Sequence, residues 1–181
     1  MKLTYLFLLI TLFSFAQKKT YTITKKNGSE LIAKTYSSKV KYLKVTATDG
    51  SIIELPYEQL EKIEYEVKEK REIKTVTRHY VRISKRNGQL MKLLASGKCN
   101  MYVSTGAGGA GTVSVDYFAL RNDEEIATMI GSKNFIAPKN FKKIVLDYFK
   151  DCPKAITKIE KKFKRKKVIE LVDFYNNNCN E

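Results

Sequence analysis

The sequence predicts an α+β fold in which two sets of short antiparallel strands precede a C-terminal unit of three helices. Three features carry that expectation. Apolar residues recur at period two from about residue 20 to about residue 131. Asn-Gly and Asp-Gly dipeptides, which supply the positive φ angles of hairpin turns, separate the first runs. Over roughly the last fifty residues the apolar period changes to that of a helix.

Residues 1–16, MKLTYLFLLITLFSFA, read as a secretory signal peptide. Lys2 gives a small positive start, Leu3 to Phe15 is nearly all apolar, and Ser14 and Ala16 place small residues before a cut at Gln17. The apolar run, about 13 residues, is shorter than the roughly 20 that span a bilayer as a helix. An uncleaved N-terminal anchor is the alternative. No cysteine follows the cut, which disfavours a lipid anchor. Of the 181 residues, 165 remain after the leader, and loss of Lys2 takes the formal charge from +15 to +14. That balance favours anionic partners: phospholipid headgroups, acidic polysaccharide or nucleic acid. Export makes the first two more accessible than nucleic acid. A solvated basic surface without a ligand is the competing reading.

Residues 17–70 predict a small β-barrel-like module. YTITKKNGSELIAK holds two strand-like runs around Asn27-Gly28, and KVKYLKVTATDGSIIELP repeats the device at Asp49-Gly50. After Pro56, YEQL leads to the alternating run KIEYEV. Tyr21 and Ile23, Leu31 and Ala33, Ile53 and Leu55, and Ile63 and Tyr65 fall at period two. Short strands packed so closely suggest a curled sheet or barrel, since closure removes exposed edges. The charged stretch KEKREIKTVTR, residues 68 to 78, is either a linker or an exposed strand extension, and is taken as the boundary between submodules.

Residues 71–131 predict an antiparallel β-meander from HYVRIS, CNMYVST, TVSVDYFAL and EIATMI, with turn chemistry at Arg86-Asn87-Gly88 and Arg121-Asn122-Asp123. QLMKLLASGK is ambiguous: Leu90, Leu93 and Leu94 also fit a helical face. Residues 132–181 predict three helices. Phe141, Ile144, Val145 and Tyr148 form one stripe; Ile156, Ile159 and Phe163 a second; Val168, Leu171, Val172 and Tyr175 a third. Pro138 and Pro153 suit first helical turns.

Cys152 precedes the second helix and Cys179 follows the third. An antiparallel helical hairpin would bring them near the roughly 5 to 6 Å between Cα atoms that a disulfide needs. An oxidising compartment would keep the bond. Two free thiols are the alternative. A metal site lacks ligands, because the single histidine, His79, is far off in sequence. Cys99, in the run CNMYV, reads as a small buried hydrophobe.

No catalytic residue, cofactor site or metal site is read from the sequence. STGAGGAGTV, with Gly106 to Gly111, lacks both the helix and the closing lysine of a phosphate-binding loop, and reads as a hairpin connection. His79 reads as a half-exposed sheet residue. Asp116, Glu124, Glu125 and Asp147 show no spacing that pairs an acid with a base. Lys161, Lys162, Lys164, Arg165, Lys166 and Lys167, with Lys139, Lys142, Lys143 and Lys158, could form one positive patch. A solvated helical end is the bland reading and docking on an anionic surface the sharp one. Nucleic-acid binding would want aromatic residues among the cations. The tyrosines here fall mostly on the apolar phase and are assigned to the core.

The leader ending SFAQ, the phrases KNGSELIAK, DGSIIELP, GKCNMY and DYFALRNDEEIATMI, and the terminal DCP…FYNNNC resemble small exported proteins of flavobacteria and related Bacteroidota. The resemblance covers most of the chain and implies no activity or catalytic residue. The N-terminal pattern is similar to Sm-like and SH3-like small barrels, a likeness of fold that does not give function. The expectation is therefore an exported, periplasmic or secreted protein without enzymatic activity, an interaction or accessory component of the cell envelope. The alternative is an anion-binding module for lipid headgroups or acidic polysaccharide.

Overall fold

The computed structural model describes residues 19–107, 113–133, 140–162 and 167–179. The leader, most of the glycine-rich loop, Pro138, Lys139, Phe163, Lys164, Arg165 and Lys166 lie outside them. Among the described residues, ten strands form one antiparallel sheet in the order β10-β9-β8-β7-β6-β5-β1-β2-β3-β4. In chain order these are β1 (Tyr21–Lys25), β2 (Glu30–Ser38), β3 (Tyr42–Ala47), β4 (Ile52–Pro56), β5 (Leu60–Glu69), β6 (Glu72–Arg82), β7 (Gly88–Ala95), β8 (Cys99–Ala107), β9 (Val113–Arg121) and β10 (Thr128–Ser132). Helices α1 (Phe141–Tyr148), α2 (Pro153–Lys162) and α3 (Val168–Asn178) follow.

The turn chemistry acts as its residues dictate. Gly28 and Gly50 adopt φ of +83° and +93°, and the carboxamide of Asn27 and the carboxylate of Asp49 each accept the N–H of the serine two residues on. Period two then buries Ile23, Ala33, Leu43, Val45, Leu55 and Ile63 on the inner side of the curled β1–β5 region. Tyr57, in the short turn after β4, stacks on Tyr80 of β6 with centroids 4.0 Å apart, which draws the two ends of the curl together.

The expected barrel does not form. Closure would pair β4 with β5, but β5 pairs with β1 on one side and with β6 on the other. The stretch 68 to 78 is not a linker. It continues β5 into β6 through the Lys70-Arg71 turn, with Lys70 at φ 58°, and Val67 opposes Lys74 across it. The second set of strands extends the same sheet, so a separate barrel and meander are corrected to one open sheet. β4 and β10 are its edges.

Beyond β6 both faces of the sheet are apolar. One carries Met101, Tyr117, Ala119 and Ile130 under the three helices, which contribute Val145, Phe149, Ile159, Val172 and Tyr175. A second cluster gathers Val81, Met91, Tyr102, Phe118 and Ala127. The Ala127 N–H donates to the carbonyl of Arg82 at 2.8 Å and holds the segment before β10 over it.

Candidate functional site

Cys152 and Cys179 form a disulfide with Cα atoms 5.6 Å apart. Cys152 caps the start of α2, where its Sγ accepts the Ala155 N–H, and Cys179 ends α3. The bond therefore ties the outer ends of the α2–α3 pair, and Cys152 sits in the core that the helices share with the sheet. Cys99 is a free, buried thiol in that core. Burial pushes its pKa up to about 11, so it is protonated at neutral pH.

A polar network beside the disulfide seats the helices. Arg121, at the end of β9, donates to the carbonyl of Tyr148 and to Asp151 Oδ1, the latter at 2.7 Å. Its guanidinium lies 4.7 Å from the ring centroid of Tyr148 and 5.4 Å from that of Tyr175. The Tyr175 hydroxyl donates to Asp151 Oδ2 at 2.5 Å, and the Tyr148 hydroxyl donates to Glu124 Oε2 at 2.7 Å. Burial first, then the bond to Asp151, pushes the Tyr175 pKa up to about 12. Burial also carries Tyr148 far above the usual phenol range. Asn176 of α3 completes the junction by accepting the Cys99 N–H and donating to the Cys99 carbonyl, both at 2.9 Å. The sequence marks Arg121 only as a turn residue and gives no sign of Asn176 or Asp151. These groups hold one another, and the arrangement is that of a structural clamp.

The expected basic patch is only partly described. Lys142 and Lys143 on α1 and Lys158 and Lys161 on α2 are exposed. The Lys142 Nζ reaches the carbonyl of Glu160 at 3.4 Å, which places Lys142 beside the C-terminal end of α2. Lys158 lies over the Phe174 ring at 4.1 Å, and Lys167 is bound by Glu170 at 2.8 Å. Lys162 ends α2, while Lys139, Lys164, Arg165 and Lys166 lie outside the described residues.

A second group of cations was not singled out in the sequence. Tyr21, Tyr36 and Tyr65 rise from β1, β2 and β5 at one end of the curled core, each half-buried against it. Tyr21 meets Tyr36 edge-on at 4.9 Å and Tyr65 at 5.2 Å. Lys19 places its ammonium 4.0 Å from the Tyr65 centroid and 5.5 Å from that of Tyr21. Arg78 Nε donates to the Tyr65 hydroxyl at 3.1 Å. Burial raises the Tyr36 pKa and the charge of Arg78 opposes the rise. The alternation of Tyr21 with Ile23 and of Ile63 with Tyr65 placed these rings in the core. It could not show that they form the rim of that core, because Lys19 and Arg78 join only through pairing of β1 with β5 and β5 with β6.

The remaining sequence candidates stay apart. His79 is half-buried and meets the Tyr102 ring edge-on at 5.8 Å, and burial lowers its pKa. Asp116 accepts from Ser114, Glu125 faces Arg82 at 3.7 Å, and Asp147 pairs with Lys150 at 3.2 Å. No cluster of metal-ligating side chains occurs among the described residues, and none of their helices is long and apolar enough to cross a membrane. No protein-family model, curated protein or solved structure matches the chain.

Proposed function

We propose that this protein is exported by its N-terminal leader, acts in the periplasm or outside the cell, and serves the cell envelope by binding rather than by catalysis. The observation that supports this most is the Cys152–Cys179 disulfide. Such a bond persists in an oxidising compartment and is rare where glutathione keeps thiols reduced. The leader, ending at Ala16, gives the route, and the partner is an envelope protein or an anionic surface. The test is the mass of the protein isolated from its own cells. A chain beginning at Gln17 with one free thiol is expected; an intact Met1 on a soluble chain with three thiols overturns the reading.

A second reading is docking of the basic helical end onto anionic headgroups or acidic polymer. The exposed lysines of α1 and α2, Lys142 beside the end of α2 above all, favour it. Each basic residue near an anionic membrane contributes about 1 kcal/mol. Replacing Lys142, Lys143 and Lys161 by glutamine should then weaken binding to vesicles containing anionic lipid by more than tenfold at low salt. Unchanged binding discards it.

A further inference from the structure

We propose that the tyrosine cluster of β1, β2 and β5 is a binding site for an acidic saccharide, with Lys19 and Arg78 receiving its carboxylate or phosphate. This gives a ligand class to the binding role above and rests on that reading, since such polymers are met outside the cytoplasm.

The two cations meet at one ring, Lys19 above the face of Tyr65 and Arg78 on its hydroxyl. Neither has an ion-pair partner among the described residues. A cation held over a phenol ring keeps its charge available to an anion while losing part of its water shell. Tyr21 and Tyr36 have no hydrogen-bond partner for their hydroxyls among the described residues, so both can serve sugar hydroxyls. Their half-buried rings are fixed by edge-on contacts and offer apolar surface at small entropic cost.

Beside the projecting β5–β6 hairpin lies a trough of about 950 Å³ that meets the cluster at Lys19 and Tyr65, whereas Tyr21, Tyr36 and Arg78 do not line it. Lys68 and Arg71 line it towards the hairpin tip, and Thr22 and Thr75 line it from the sheet face opposite Tyr65 and Arg78. Its carboxylates are Glu64 and Glu66, and Glu64 is neutralised by Lys62 at 2.7 Å. Val67 and Ile73 are the aliphatic lining residues, too little to seat an acyl chain. The ring cluster with its two cations, joined at Lys19 and Tyr65 to a trough of cations and hydroxyls, matches a polyhydroxylated anion of extended shape that reaches from one to the other.

Calorimetric titration of the disulfide-intact mature chain with oligogalacturonate tests the site. Saturable binding is expected, at least about tenfold tighter than for the carboxyl-reduced neutral oligomer or for polyglutamate of equal charge, or about 1.4 kcal/mol. Lys19→Gln with Arg78→Gln should weaken it about tenfold, and Tyr21→Phe with Tyr36→Phe, which keeps the rings packed, several-fold. Lys142→Gln with Lys143→Gln and Lys161→Gln should leave it unchanged. Absence of binding, equal binding of polyglutamate, tighter binding of a single-stranded oligonucleotide, or loss through the helical lysines overturns the proposal. The N-terminal mass and thiol count are read separately, so export can stand when the saccharide site falls.

Discussion

Asn176 pairs with both backbone groups of Cys99 and so extends the hydrogen bonding of β8 into α3. Asn176→Ala would leave that N–H and C=O without partners at a covered junction. The expected cost is about 1 to 3 kcal/mol, read as a fall in the midpoint of urea unfolding. Tyr175 adds a pH dependence of determinate sign. The folded chain holds its phenol proton to about pH 12 against an ordinary value of 10.0, so the stabilisation is complete below pH 10 and lost as pH rises through about 12. The Cys99 thiol, held to about 11, acts in the same direction. Thermal melts across this window should show Tm falling steeply in the wild type and less steeply in Tyr175→Phe; equal slopes would remove Tyr175 as the cause. Of these residues the cysteines were legible in the sequence, and Tyr175 as a buried stripe position but not as a partner of Asp151. A cysteine has few things to do in an exported chain, whereas arginine, aspartate and asparagine are ordinary surface residues until tertiary packing brings β9, α1 and α3 together.

At the scale of elements, the helices were readable because each presents one apolar stripe to one partner. Phe141, Val145 and Tyr148, then Val168, Leu171, Val172 and Tyr175, are the buried sets of α1 and α3. β7 was ambiguous for the opposite reason. Met91 and Leu93 belong with the cluster of Val81 and Phe118, while Leu94 packs under the helices, so both faces are apolar and no alternation survives. The α2–α3 pair depends on its covalent tie. Replacing both Cys152 and Cys179 by serine should cost about 3 to 4 kcal/mol on the chain-entropy view, with hydrogen exchange rising first in these helices. Exchange rising uniformly through the sheet would show that the bond supports the whole fold. At the start of β7 a Cβ on Gly88 would lie 2.5 Å from Cζ of Tyr80. Gly88→Ala should therefore displace Tyr80 from Tyr57 and destabilise by about 1 to 3 kcal/mol.

The molecule as a whole is a sheet that curls without closing, and its free edges follow from that. The sequence showed five closely spaced strands but not where the outer edge of β5 would pair, because the charged residues of 68 to 78 hide a strand that in this stretch buries Val76 alone. β10 packs beside α1, whereas β4 pairs with β3 alone. The bond from Ala47 N–H to the Ser51 carbonyl sets the phase of that pair: Ile53 and Leu55 direct their backbone groups to β3, and Ile52, Glu54 and Pro56 direct theirs outward. Pro56 has no N–H to offer, and Glu54 places a charge at the centre of the exposed row, two devices that discourage a further strand. Ile52, 61% exposed, makes the edge adhesive without them. Glu54→Val with Pro56→Val should leave the monomer folded, since both side chains point away from the inner core, yet cause concentration-dependent self-association visible in sedimentation velocity. A variant that stays monomeric at high concentration would mean that twist of the short edge strand, rather than these two residues, keeps the sheet from growing.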